Sequence, residues 1–373
     1  MLINLLVIFL ILFIGFQFSQ KYGENKDSFE VRKRYIKVIS FFLILQSGLR
    51  NVAVGDDTYT YYVSFTEIQK KTWLDIYQNF INVYKFDEGK DPGYPLFEKL
   101  VSLISSEYQI LLFVIALLFF AALGNFILKN TNRLQDAVMG FVIYSVLFYS
   151  FFSITGHRQT IATAASLFAF EYIKKKKILP FLILIITAST IHKSVLLFLP
   201  FYFIAHIKRT KYFNWAILLL FPVIMVNRNS ISQYFKVLAG YEEYGINEEA
   251  GTFTFTFLFL VISITALLRT KIILRQHPNA QFAFNAFALA LLFIPLTWVN
   301  PSAMRVVQYF SIYMLILVPD IINSFDTYSK KISSSIRFFI VLVLIALMIK
   351  SRWNAPSYGF YWEELRLNEE YNR

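Results

Sequence analysis

Cysteine is absent from the 373 residues. No disulfide, thiolate nucleophile or cysteine-based metal site can form, and the redox compartment leaves no trace. Charge is scarce too, at 16% of residues against 57% hydrophobic. That balance excludes a soluble enzyme, a disordered chain and a secreted disulfide scaffold. Also missing are a His-x-x-x-His pair, an Asp-x-Asp pair, a glycine-rich phosphate loop and any internal repeat. No basic stretch precedes the first apolar run and no small-residue cleavage pattern follows it. Lys21, Lys26, Arg32, Lys33 and Arg34 come after the run, the reverse of a signal peptide. It reads as an uncleaved first helix with its N-terminus outside.

What the chain has in quantity is apolar sequence. A prior of roughly 150 residues per soluble domain suggests two or three domains, but apolar stretches recur from end to end. The expectation is therefore a single integral membrane domain over residues 1–373. Twelve segments stand out, near 1–18, 36–49, 108–128, 137–154, 159–173, 178–191, 194–207, 212–226, 252–268, 280–298, 306–319 and 338–349. The fold class is thus an all-α polytopic membrane protein of about 12 transmembrane helices. Several segments are shorter than the ~20 residues a span needs, so their boundaries move by a few residues. The stretch 178–207 is broken only by His192 and Lys193, and reads either as a hairpin or as one long tilted helix. The hairpin keeps the basic clusters Lys174–Lys177 and Lys208–Lys211 on one side.

Charge sorts with that alternation. One set of connections carries 21 Lys/Arg against 7 Asp/Glu and the other 15 against 17, or +14 against −2. The first face is cytoplasmic by the positive-inside rule, and both termini are outside. The net charge of +12 then marks cytoplasmic loops and implies no nucleic acid. Two sizeable loops face out, 50–107 and 227–251. In the first, Trp73, Leu74, Tyr77, Phe80, Ile81 and Tyr84 recur at helical spacing, as do Leu96, Phe97, Leu100, Leu103 and Ile104. Asp91-Pro92-Gly93 forms the turn between them. Such amphipathic helices lie along the membrane interface. Tyr234, Phe235 and Leu238 repeat the device more weakly in the second loop.

The short outer turns 155–158, 192–193 and 299–305 hold His157, Arg158, His192, Lys193 and Arg305, without one carboxylate. Arg50 ends the second helix on the same side, and Arg228 follows the eighth. Ionisable groups at helix ends are costly and mark function by default. A lone arginine is equally explained by snorkelling to headgroups, but several cations at one depth imply an anionic partner. Arginine suits phosphate because its planar fork donates paired hydrogen bonds and keeps its proton. In Gly55-Asp56-Asp57-Thr58-Tyr59, Gly55 is a turn residue and Asp57 or Thr58 caps a helix beginning at Tyr59. An aspartate there can also take a proton from a sugar hydroxyl. After Gly156-His157-Arg158-Gln159, the small residues Ala162–Ser166 allow close helix packing, which would hold Arg158 rigidly.

Arg50 followed by Gly55-x-Asp57-x-Tyr59, then Arg158-Gln159-x-x-Ala162, Ile191-His192-x-Ser194 with Leu199-Pro200, and Arg305 with Tyr309-Phe310 occur in order. This ordered set resembles the EpsG family of Wzy-type polysaccharide polymerases over nearly the whole chain. The family's usual Asn before the Arg-Gln pair is His157 here. The resemblance implies a GT-C-like helix bundle in the bacterial inner membrane, polymerising exopolysaccharide, capsule or O-antigen units on a polyprenyl pyrophosphate carrier at the outer leaflet. It implies catalytic roles for Arg158, Asp57, His192 and Arg305, and substrate contacts from Arg50, His157, Gln159, Lys193, Tyr59 and Tyr309. No metal and no cofactor is expected. The expected partners are the lipid-linked oligosaccharide, the bilayer, a chain-length regulator and a flippase. A flippase for the same substrate and a membrane O-acyltransferase acting on polysaccharide are the rival readings. A flippase should place polar residues along a mid-membrane path, whereas here they crowd one face.

Overall fold

The computed structural model describes residues 2–55, 57–239, 253–352 and 358–363. These are helical almost throughout. Among them there is no strand, and an isolated antiparallel bridge joins Arg50 to Phe360. The described parts of the twelve apolar segments are largely helical. Among the described residues five helices are long and apolar enough to cross a membrane, or up to seven if each of two bent pairs counts as one span. The sequence expectation therefore holds for the class, a helical membrane protein, while the number of about twelve spans is not confirmed. Length is the reason: helices such as 134–147 and 178–191 have 14 residues each, short of the ~20 that a bilayer needs.

The chain divides into two compact units, one of residues 1–193 with 339–373 and one of residues 194–338. The first unit begins with α1 (Leu2–Tyr22) and α2 (Phe29–Gly48). Three short helices follow in the 50–107 loop: α3 (Thr58–Lys70), α4 (Trp73–Lys85) and α5 (Gly93–Ser102). Then come α6 (Tyr108–Asn130), α7 (Leu134–Leu147), α8 (His157–Lys174) and α9 (Ile178–Ile191). α2 packs on α6, α6 on α8, α8 on α9, and α1 on α7. Small residues permit these approaches: Ala162, Thr163, Ala164 and Ser166 of α8 are all buried. α9 stops at Ile191 because His192 turns to extended backbone, so 178–207 is not one long helix.

Within this unit the connections sort to two ends, as the charge pattern requires. At one end Arg32 donates to the carbonyls of Leu128 and Thr131, Asp27 accepts the Leu134 N–H, and Lys174 reaches Asn130 and Glu171. The 50–107 loop, 155–158 and 192–193 gather at the other end of α6. α4 and α5 are the expected amphipathic helices. A capping box closes the start of α4, where Thr72 Oγ1 accepts the Asp75 N–H and Asp75 accepts the Thr72 N–H. Trp73, Leu74, Tyr77 and Tyr84 are exposed along α4, as are Leu100, Leu103 and Ile104 along and just beyond α5. Apolar side chains left in the open on loop helices suit a membrane interface.

The second unit holds α10 (Phe201–Ile204), α11 (Thr210–Val226), α12 (Arg228–Ala239), α13 (Phe253–Gln276), α14 (Ala280–Phe293), α15 (Met304–Ser311) and α16 (Met314–Ser324). α17 (Lys330–Arg352) starts in this unit and ends in the first. α14 is the core helix, packed by α11, α13, α15 and α16. α12 contains the Tyr234–Leu238 stretch read as amphipathic. The rest of the 227–251 loop, Asp56 and most of the 350–373 tail lie outside the described residues.

Candidate functional site

The end of the first unit that carries the 50–107 loop is organised by a residue that the sequence reads only as a turn. Asp91 has a left-handed backbone (φ +54°), which aspartate tolerates better than most side chains. The conformation turns the carboxylate inward, where it is buried. Its Oδ2 accepts from Arg158 Nη1 at 2.8 Å and from His192 Nδ1 at 3.3 Å, and its Oδ1 accepts the Lys193 N–H at 3.0 Å. The turns 155–158 and 192–193 are thereby fastened to one carboxylate. Burial pushes the Asp91 carboxyl up, but the hydrogen bond and charge of His192, the Arg158 guanidinium and the Lys193 N–H outweigh it and hold it below the usual carboxylate range. The expectation of an acid-free cationic set is corrected here. The acid comes from a loop distant in sequence.

Gly93 explains how Asp91 gets there. A Cβ on Gly93 would lie 2.1 Å from Thr190 Oγ1 and 2.9 Å from the Thr190 carbonyl carbon. Only glycine lets the start of α5 sit this close to the end of α9, and α9 ends at His192.

A second, buried layer adjoins this group. Arg50 is 2% exposed, with donors directed at the carbonyls of Ser47 and Ile154. Arg50 Nη2 lies 2.8 Å from His157 Nε2. An arginine can only donate, so His157 Nε2 carries the lone pair and the proton sits on Nδ1, which donates to Tyr94 Oη at 3.3 Å. Tyr61 stacks on the His157 ring at 4.2 Å. One turn further along α5 is Glu98, whose Oε2 accepts from Ser64 Oγ at 2.9 Å. Glu98 has no solvent exposure. Burial pushes its carboxyl up to about 7, more than the Ser64 bond and the Arg158 charge bring it back.

The structure thus brings together Arg50 with His157, and Arg158 with His192 and the Lys193 backbone. The Arg158 side chain keeps 28% of its surface accessible, and one carboxylate oxygen engages only part of a fork with five donors. Gln159 is buried on α8. Tyr59 lies on α3, its ring 6.1 Å from that of Tyr62. Asp57 is exposed at the N-cap position of α3 and makes no side-chain cap bond; it takes no part in the hydrogen bonds just described. Arg305 and Tyr309 belong to the second unit on α15, where the buried Tyr309 hydroxyl pairs with Ser194 Oγ at 3.1 Å. Sequence reasoning missed Asp91, Tyr61, Tyr94 and Glu98. Tyr61, Tyr94 and Glu98 were present only as polar residues on loop helices, and Asp91 only as a turn residue.

The fold is that of a helical membrane protein with arginine and histidine fastened to one buried carboxylate at its loop-bearing end, and ionisable groups so placed mark a functional site by default. The chain belongs to the EpsG family, whose family model matches residues 33–363, and EpsG is a Wzy-like polysaccharide polymerase family. No curated protein and no solved structure matches the chain.

Proposed function

We propose that this protein is a membrane glycosyltransferase that joins polyprenyl-pyrophosphate-linked oligosaccharide units at the outer leaflet of the bacterial inner membrane. The carrying observation is Arg158, partly accessible at the start of α8 and aimed by Asp91 beside His192. In this reading the growing glycan is transferred from its own carrier to the hydroxyl of a new lipid-linked unit. The acceptor oxygen bonds to the anomeric carbon as the bond to pyrophosphate breaks, and the electron pair leaves on the phosphate. Charge that grows on the leaving group is where a fixed guanidinium counts most. Pyrophosphate needs no proton to depart. The acceptor's proton does need a base, and His192 suits it: giving Nδ1–H to Asp91 puts the lone pair on Nε2. Asp57 is the alternative base, separable by substitution.

Deleting the gene is the test. Long polymer should vanish while single lipid-linked units accumulate on the outer leaflet. Units trapped on the cytoplasmic leaflet would support a flippase instead, and unchanged polymer would end the polymerase reading.

A further inference from the structure

Beside the buried layer lies an open cavity of about 380 Å³ that none of the foregoing uses. That is inside the ~300–1,000 Å³ range of small-molecule sites. Tyr62, Thr66 and Gln69 line one wall from a single face of α3. Glu107, Tyr108 and Gln109 at the start of α6 form the second wall, and Asn51 with Tyr361 the third. The walls are tied together. Gln69 Nε2 donates to the Ser106 carbonyl, Gln109 Nε2 to the carbonyls of Gly48 and Arg50, and Asn51 Nδ2 to those of Phe360 and Glu363. The cavity is therefore a built feature rather than a gap between loose loops.

Its chemistry differs from that of the Arg158 group. The lining has three tyrosines, amides and hydroxyls, one carboxylate, and no lysine, arginine or histidine. Tyr62 is 37% exposed and Tyr361 52%, so ring surface is available to a ligand. Tyr62 is fixed edge-on against Tyr108 at 5.5 Å. Such a lining repels phosphate and suits a neutral molecule with hydroxyls on its rim and C–H faces for the rings. Tyr108 connects the cavity to the buried layer, since its ring lies 6.2 Å from that of His157 and its hydroxyl donates to the Thr58 carbonyl.

We propose that this cavity is a sugar subsite, holding one or more residues of the glycan next to the anion-binding group. The proposal rests on the polymerase reading for its choice of ligand, and two separate measurements keep the two apart. The probe is a set of lipid-free oligosaccharides, one to three repeat units long, released from the host's own polysaccharide by partial hydrolysis. Saturation-transfer NMR on the detergent-solubilised full chain reads their binding. Tyr62→Leu removes the ring and should weaken binding about 10-fold. Glu107→Gln keeps the shape at an exposed position and removes one strong acceptor, for a loss of about 3- to 10-fold, the worth of one hydrogen bond. Complemented into a deletion strain, both variants should shorten the polymer. Binding that is absent in the wild type, or unchanged in both variants, overturns the subsite. Tighter binding in Glu107→Gln also overturns it, because that result marks an anionic ligand such as phosphate or a headgroup. A deletion strain with normal polymer defeats the polymerase reading instead, whatever the binding shows.

Discussion

Asp91 and Arg158 lie 2.8 Å apart, and a double-mutant cycle on this pair separates two roles for the arginine. An arginine that only neutralises a buried carboxylate becomes dispensable once the carboxylate is gone. One that also grips the leaving pyrophosphate does not. In Arg158→Gln the Asp91 carboxylate, 6% accessible, keeps His192 and the Lys193 N–H but loses its cation. Breaking a buried pair costs about 3–5 kcal/mol. The arginine side chain is 28% accessible, so solvent screens part of that loss and about 2–3 kcal/mol of stability should go. Asp91→Asn keeps the outline but removes the charge and an acceptor shared by two donors, at about 2 kcal/mol. The double variant Asp91→Asn with Arg158→Gln leaves no unpaired charge, and its thermal unfolding should return to within about 1 kcal/mol of wild type. Polymerisation should not return with it. Each single variant, and Arg158→Lys as well, should slow chain growth about 10- to 100-fold, because a charge-assisted hydrogen bond is worth about 1.5–3 kcal/mol and each ~1.4 kcal/mol is tenfold in rate. The assay is the polymer length distribution from membranes matched for protein level. Long chains from the double variant, or near-normal chains from Arg158→Lys, would reduce the residue to a counter-ion and refute the argument.

Gly93→Ala should drive α5 off Thr190 and displace Asp91, lowering stability by about 1–3 kcal/mol and activity with it; a variant with wild-type melting and wild-type polymer would show that the close approach is not required. Glu98 gives a pH signature. Its carboxyl titrates at about 7 in the fold against 4.5 ordinarily, so between those values the native state holds a proton that the unfolded chain has released. Stability should therefore fall as pH rises from 4.5 to 7, by up to about 3 kcal/mol, and Glu98→Gln should flatten that fall; parallel melting curves for the two proteins from pH 5 to 8 would contradict it. Reporter fusions in the 50–107 loop should report the outside and fusions after Lys177 the cytoplasm; the opposite pair of results would invert the topology.

Hydropathy was enough to read a helical membrane protein, because long apolar runs have few other uses. It did not settle the number of spans, since a 14-residue apolar helix such as α9, with only Phe181, Ile185 and Ala188 buried, is too short to be counted as a span by length alone. The group Arg50, His157, Arg158 and His192 stood out in the sequence because ionisable side chains at the ends of apolar helices are rare. Asp91 was not. It stands 67 residues before Arg158 and 101 before His192, inside an Asp-Pro-Gly string whose local chemistry is that of a turn. The turn is real, but tertiary packing around Gly93 gives its first residue a second task. Glu98 was hidden for a similar reason, as one acid on an amphipathic helix whose inner face cannot be told from its solvent face without the partner.

The six residues 358–363 tie back to the end of α2. Tyr361 N–H donates to the Leu49 carbonyl, Asn51 N–H to that of Gly359, and the Tyr358 hydroxyl to that of Gln46. Asn51 and Phe360 are 309 positions apart. At ~5–20 residues per second of synthesis, about 15–60 s separate the ribosome's delivery of one from its delivery of the other. During that interval the Asn51 amide and the carbonyls of Leu49 and Gln46 are without these partners. The third wall of the cavity includes Tyr361, which follows α17, so the cavity stays unfinished on that side until α17 and residues 358–363 are in place.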